Sequence, residues 1–411
     1  MPIIAIVDGY STGGALSRAL CERGVTCVHV RSKEVFADYF LKAFRPDDYA
    51  VDLGFVADRA ELVRRLRAIG VDQVLAGTES GVTLADTLNH LLGTPGNEIA
   101  TVAARRDKSA MAQTVRAAGL AAPIGRAFAS VEEAAAWYAA IGGPAVVKPL
   151  DSAGTDNVHF CRDVAQLRAA CAQVLAGRTV YGVPNRRVLV QERLVGTEFY
   201  VNSVSHGGSH RIAEIWRYAK RPGPADAPIY DYEEPVDPGS PLAATIRDFV
   251  FAVLDALGVR ASAAHTELML TAAGPVLIET GARLGGSTLP DVVAKLSGVS
   301  QTLLQVQCLV EPAFFADFDD RAPRWSAAVR NVSLINPAPV AAQSPHWSAR
   351  LSELPTVVAV AATGAPGAPL AQTVDLVTAP GFVYLAAEDP AEVERDYRTL
   401  RRWERDGLYG N

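Results

Sequence analysis

Short apolar runs separated by helical segments fill the first hundred residues. IIAIVD (3–8) is one such run, followed by a glycine-rich turn, the helical stretch ALSRALCERG ending at Gly24, and the run VTCVHV. DRAELVRRLRAIG then repeats apolar positions at helical spacing until Gly70, and VDQVLAG follows it. Strands that alternate with helices in this way predict a parallel, doubly wound sheet, an α/β architecture.

From about residue 100 the rhythm changes. RDKSAMAQTVRAAGL reads as a helix ended at Gly119, and Ser130 with Glu133 forms a capping box for the helix EEAAAWYAAIGG. PAVVKPL predicts a strand, DSAGTDN a turn, VHFC a strand, DVAQLRAACAQVLAG a helix and RRVLVQERL another strand. FYVNSVS and HRIAEIWRYAK flank HGGS as a hairpin. The proline-rich stretch 221–241 predicts a loop, long enough to be functional. A helix, PLAATIRDFVFAVLDALG, leads into a very apolar hairpin, HTELMLTAAGPVLIETGARLGGS (265–287). Beyond 310 come scattered strands (VRNVSLI, TVVAVAA, FVYLAA) and an amphipathic helix, PAEVERDYRTLRRWERDG.

A chain of 411 residues exceeds one ordinary core, so two or three domains are expected. With 49% hydrophobic and 20% charged residues, wholesale disorder is excluded. The net charge of −6 and the lack of long charge runs argue against nucleic acid as a partner. No apolar run reaches the length of a membrane span, and the N-terminus lacks a basic region before its apolar run. The five cysteines form no CxxC pair, which suits reduced thiols and a cytoplasmic location. His206 and His210 stand four apart, but Gly207 and Gly208 between them predict a turn rather than a zinc-binding helix.

Several motifs carry chemistry. DGYSTGG matches G-x-S-x-G around Ser11, the spacing of a nucleophile elbow, although almost no chain precedes it to supply an oxyanion donor; a tight glycine turn is the other reading. Lys148 ends an apolar strand and is followed by Ser152, Gly154 and Thr155, a setting that suits phosphate oxygens but also a surface lysine. Lys108 opens a helix after Arg105 and Arg106. In QERLVGTE, Gln191, Glu192 and Leu194 lie beside a crossover that can face an adenine, and Glu198 can reach ribose hydroxyls; a polar bend is the alternative.

The hairpin is the most informative stretch. Pairing Leu270 with Val276 sets Glu267 opposite Glu279 on one face. Opposed carboxylates in an apolar hairpin call for a cation between them, and carboxylates without His or Cys favour Mg²⁺, with Mn²⁺ as the other candidate. Arg283 then offers a fixed positive fork, and Gly285 and Gly286 allow close backbone approach. Two unrelated surface glutamates are the alternative reading. His265 shares the face of Glu267, either orienting a carboxylate or phosphate or packing as a core histidine. Trp216, Tyr230 and the 221–241 loop are expected to shape a substrate pocket.

The order lysine, lysine with a glycine loop, strand-end glutamates, paired glutamates and arginine resembles the ATP-grasp superfamily. In particular it resembles its carboxylate–amine ligases, the branch of bacterial L-amino-acid ligases and dapdiamide-type synthetases. GTESGVTLADTLNHLLG and the ARRDK start of the nucleotide domain belong to the same resemblance, which covers roughly residues 1–310. It implies an ATP-grasp fold: an N-terminal Rossmann-like domain (1–100), an ATP-grasp domain (101–310) with a lid subdomain (about 120–193), and a C-terminal α+β portion (311–411) completing a large mixed or antiparallel sheet. It also implies ATP bound by Lys108, Lys148, the 151–156 loop, Gln191, Glu192, Leu194 and Glu198, with Mg²⁺ on Glu267 and Glu279 and Arg283 at the acyl phosphate. A homodimer is implied as well. Where many relatives carry an asparagine two residues after the second glutamate, this chain has Gly281. The expected reaction joins a small acid to an amine with release of ADP and phosphate. Its rivals are an ATP-grasp carboxylase or nucleotide-precursor ligase, a hydrolase using Ser11, and a nucleotide-binding module without turnover.

Overall fold

The computed structural model describes residues 1–36, 41, 44–151, 157–179, 182–223, 228–322 and 324–410. The first apolar runs form a parallel sheet of β1 (Ile3–Val7), β2 (Thr26–Arg31), β3 (Val51–Phe55) and β4 (Gln73–Ala76), ordered β3-β2-β1-β4. Its helices obey the local signals. Asp58 caps the helix Arg59–Ile69 by accepting from Ala60 N and Glu61 N, and Gly70 ends it at φ 80°. The sheet order reverses at β1, so the loops after β1 and β4 meet at the carboxyl edge, where such sheets bind ligands.

A second, antiparallel sheet holds β5 (Gly125–Phe128), β6 (Ala145–Pro149), β7 (His159–Cys161) and β8 (Val188–Glu192), ordered β5-β8-β6-β7. The helices Val131–Ile141 and Val164–Ala176 cover it, and Ser130 caps the first by accepting from Glu132 N and Glu133 N.

The third sheet has eight antiparallel strands in the order β13-β12-β9-β10-β11-β14-β16-β15. They are β9 (Thr197–His206), β10 (Ser209–Pro222), β11 (Pro228–Pro235), β12 (Ala263–Thr271), β13 (Gly274–Gly281), β14 (Ala328–Ser333), β15 (Val357–Ala362) and β16 (Gly381–Ala387). The helix Pro241–Ala256 packs Ile246, Val250, Val253 and Leu254 against Val201, Ile212, Leu268 and Leu277. Each such buried aliphatic side chain stabilises by roughly 1.5–3 kcal/mol. β11 corrects the expected loop over 221–241. IYDYEEP pairs along β10 and also with β14, so its aromatic residues line a sheet rather than a free loop.

The hairpin also differs from its expected register. Leu270 pairs with Pro275 and Met269 with Val276, one residue out from the Leu270–Val276 pairing. An irregularity between Glu267 and Leu268 then inserts Ile278, and this restores Glu267 opposite Glu279. The bulge sets Ile278 on the same face as Glu279, where strict alternation would have turned it away.

Candidate active site

The second and third sheets face one cavity of about 340 Å³. Lys108, Lys148, Gln191, Leu194, Glu198, Tyr230, His265, Glu267, Glu279, Arg283 and Gly286 all line it. Ser152, Gly154 and Thr155 lie outside the described residues. Glu192 does not line the cavity, because its Oε1 accepts from Ile124 N at 2.8 Å and ties β8 to the segment before β5. Gly285 stands behind the wall, its N donating to Gln301 Oε1, and a Cβ there would lie 2.7 Å from Asn202 Oδ1.

Trp216 differs from expectation. It is 1% exposed, donates from Nε1 to Glu214 Oε2, and stacks behind Tyr200 instead of reaching the cavity. Ser11 is exposed at the start of the helix Thr12–Glu22 and lines no part of the cavity, so no nucleophile elbow faces it.

Charge is arranged along the cavity in cation–carboxylate sets. Lys148, at the end of β6, is 6% exposed; burial drives its ammonium below the ordinary lysine range and Lys108 adds to this, against the pull of Glu279. Lys108 Nζ lies 3.1 Å from Glu279 Oε2. Glu198 accepts from Lys220 Nζ at 2.7 and 2.8 Å through its two oxygens. Burial, with Glu267 nearby, still raises the Glu198 carboxyl above its usual range. Burial would raise Glu267 too, yet His265 and Lys220 outweigh it and hold that carboxyl low. His265 Nε2 is 3.6 Å from Glu267 Oε1, and Tyr218 OH donates to the same oxygen at 3.2 Å.

His265 is itself fixed from behind. Asn202 Nδ2 donates to Glu214, which leaves Asn202 Oδ1 to accept from His265 Nδ1 at 2.8 Å. That assignment leaves Nε2 as the ring nitrogen that faces Glu267.

Sequence reasoning passed over a second set of residues. Glu79, just after β4, takes a hydrogen bond from Arg283 Nε at 2.8 Å and lies 2.6 Å from Arg106 Nη1. Burial favours its neutral form, but the two guanidinium groups prevail and hold it at about 2. The signal was available, since GTESG sits at the carboxyl end of a strand next to the point where the sheet order reverses. Tyr200, Tyr218, Lys220 and Glu233 came from β9, β10 and β11, and their alternation on one face is visible only once the strands are paired. Val374 and Leu376 reach the cavity from the C-terminal part of the chain, and no local signal marks them.

A four-stranded and an eight-stranded antiparallel sheet closing on one charged cavity define an ATP-grasp enzyme, and a profile of the ATP-grasp domain matches residues 141–291. The chain belongs to the ATP-grasp carboxylate–amine ligases, enzymes that form C–N bonds. It is 33% identical over 413 aligned residues to dapdiamide A synthase of Enterobacter agglomerans, covering 98% of this chain and 96% of that protein. The L-amino acid ligase of Bacillus licheniformis shares the fold with a TM-score of 0.74, at 19% identity over 98% of this chain and 97% of that one. Carboxyaminoimidazole ribonucleotide synthase of Aspergillus clavatus, solved with ATP, shares it with a TM-score of 0.71 at 14% identity, over 98% and 99% of the two chains. ATP-grasp enzymes as a class use ATP and Mg²⁺. Among the described residues, no helix is long and apolar enough to cross a membrane.

Proposed function

We propose that this ligase activates the carboxylate of an amino acid or a related small acid with ATP and joins it to an amine, releasing ADP and phosphate. The observation that carries the reading is Glu267 opposite Glu279 across one hairpin, with Arg283 at the end of β13 in the same cavity. Like carboxylates so placed are unfavourable unless a cation joins them. Among the described residues no group of three or more His, Cys, Asp or Glu is placed to hold a metal ion. Two carboxylates fit an ion that completes its shell with phosphate oxygens and water, as Mg²⁺ does. Bound there, Mg²⁺ would neutralise charge on the phosphates during transfer.

The chain's own residues account for the remaining work. Lys108 and Lys148 meet phosphate oxygens, and an anion beside Lys148 would offset the burial that drives its ammonium down. Gln191 and Leu194, at the end of β8, receive the adenine, and Glu198 the ribose hydroxyls. Ile278 and Met269 supply an apolar wall. Arg283 faces charge that develops as the substrate carboxylate takes the terminal phosphoryl group and becomes an acyl phosphate. An amine then attacks the acyl carbon and phosphate leaves. Positioning supplies much of the rate, because both substrates are held in one cavity. We further propose the division into residues 1–100, 101–310 and 311–411, supported by the separate first sheet and by the strands that the last segment adds to the third.

The test is a matrix of acids against amines, scored for ADP rather than AMP release and for product mass. Acid- and amine-dependent ADP release with an amide product supports the reading. Phosphate release that depends on bicarbonate, or nucleotide binding with no turnover for any pair, would sink it.

A further inference from the structure

His265 stands two residues before Glu267 on β12, on the same face, and lines the cavity with it. Its partner across the hairpin is Gly281, which offers no side chain. The ring is fixed from two sides. Tyr200 packs against it at a centroid distance of 5.2 Å, and a Cβ at Gly285 would lie 2.9 Å from Nδ1, so glycine there leaves the ring its room. Behind the ring the polar contacts run in one direction. Glu214 accepts from Gln301 N, Trp216 Nε1 and Asn202 Nδ2. The Asn202 amide therefore turns its nitrogen to that carboxylate and its oxygen to His265 Nδ1, 2.8 Å away.

A ring that donates from Nδ1 meets the cavity with Nε2, and this nitrogen lies 3.6 Å from Glu267 Oε1. The gap is longer than a hydrogen bond. It falls near the separation of two neighbouring ligands of one ion, roughly 3.0–3.6 Å at bonds of about 2.0–2.2 Å. Metal-binding histidines are held in this manner, one ring nitrogen tied to an acceptor behind and the other left to the ion. Glu279 Oε2 lies 3.1 Å from Lys108 Nζ, so the donors that stand together are His265 and Glu267.

We propose that His265 Nε2 binds the cation held by Glu267, so that the site takes one nitrogen ligand and prefers a first-row transition ion such as Mn²⁺ to Mg²⁺. The proposal rests on the reading above, in which Glu267 holds the ion of the nucleotide. Mg²⁺ keeps to oxygen ligands, whereas an imidazole favours ions of the transition series. The rival is a protonated ring paired with Glu267, which would leave every ligand of the ion an oxygen. Asn202 and Glu214 are then positioning residues, which aim a ligand without touching substrate. This gives Glu214, a carboxylate only 5% exposed, a task beyond packing.

The experiment is pulsed EPR on the full chain with its histidines labelled by nitrogen-15, loaded with Mn²⁺ and β,γ-methylene-ATP. All other nitrogens are nitrogen-14, so a directly bound nitrogen-15 must belong to a histidine. The wild type is expected to show that coupling and His265→Gln to lose it. Displacement of bound Mn²⁺ by Mg²⁺ gives a second readout. His265→Gln is expected to shrink the preference for Mn²⁺ at least ~10-fold, and Asn202→Ala to weaken Mn²⁺ binding by about 10–100-fold, the usual cost of losing the partner behind a ligand. No nitrogen-15 coupling in the wild type, with Mn²⁺ binding still weakened by Glu267→Gln, would overturn the proposal and leave the ligase reading standing; this outcome needs no histidine variant to fold. So would a coupling or a Mn²⁺ preference that His265→Gln leaves unchanged. Mn²⁺ binding indifferent to Glu267→Gln would overturn the proposal together with the reading of Glu267 on which it rests.

Discussion

Arg283 Nε donates to Glu79 Oε2 at 2.8 Å, so the arginine at the end of β13 is aimed by a carboxylate from the first sheet's carboxyl edge. The same carboxylate explains Gly281. A Cβ at Gly281 would lie 2.4 Å from Glu79 Oε2, so a side chain there and Glu79 exclude one another. The asparagine that many ATP-grasp enzymes carry at this point has no room here. Gly281→Asn is therefore expected to push Glu79 aside and lower kcat by roughly 10–100-fold through a misplaced arginine, a loss on the scale of one misaligned transition-state donor. Steady-state ADP release checks it, and a kcat within about twofold of wild type would show that Glu79 does not aim Arg283.

Glu79 also sets a pH dependence. Its carboxyl is held at about 2 in the folded protein against roughly 4.3 in an unfolded chain. A depressed folded value means that the stabilisation is full above the unfolded value and is lost as pH falls through the folded one. The stability gap between wild type and Glu79→Gln, measured by urea unfolding, should therefore be widest at pH 6 and close toward pH 2. A gap independent of pH would remove the charge argument.

Glu267 and Glu279 should be non-redundant. Either Gln substitution is expected to lower kcat for ADP release by about 10²–10³-fold or more, the range found when one transition-state donor is removed. Extra Mg²⁺ should recover part of the Glu279→Gln activity, because the remaining carboxylate still binds the ion. Activity of both variants near wild type at low Mg²⁺ would place the ion elsewhere.

Trp216 belongs to the support behind the site. Trp216→Phe removes one of the two donors to buried Glu214 Oε2, the other being Asn202 Nδ2, and the loss of one such hydrogen bond costs about 0.5–1.5 kcal/mol. Stability by urea unfolding should fall by that amount while the ranking of acids is kept. A changed ranking with unaltered stability would restore Trp216 to the substrate pocket.

The opposed glutamates were legible because period-two alternation constrains a strand strongly, yet the route to them was not. The register at the turn is off by one, and Ile278 makes up the difference, a compensation no alternation rule contains. Lys108 and Lys148 were legible as ambiguous lysines and became informative only beside Glu279. β11 was hidden by the prolines around it, since its pairing partners lie on β10 and on β14, about a hundred residues downstream. Glu79 was hidden by distance, 204 residues from the arginine it holds. Local propensity reads neighbours in sequence, and these contacts are made by neighbours in space.

The eight-stranded sheet continues past β11 into the C-terminal part of the chain. β14 hydrogen-bonds to β11 and brings Asn331 to Glu233, and the turn before β16 sends Val374 and Leu376 into the cavity. The last hundred residues are therefore part of the cavity wall, joined to it by backbone ladders. Exchanging that segment between two ligases of this kind would carry acid preference with it, and deleting it would leave β11 a bare edge rather than yield a smaller enzyme.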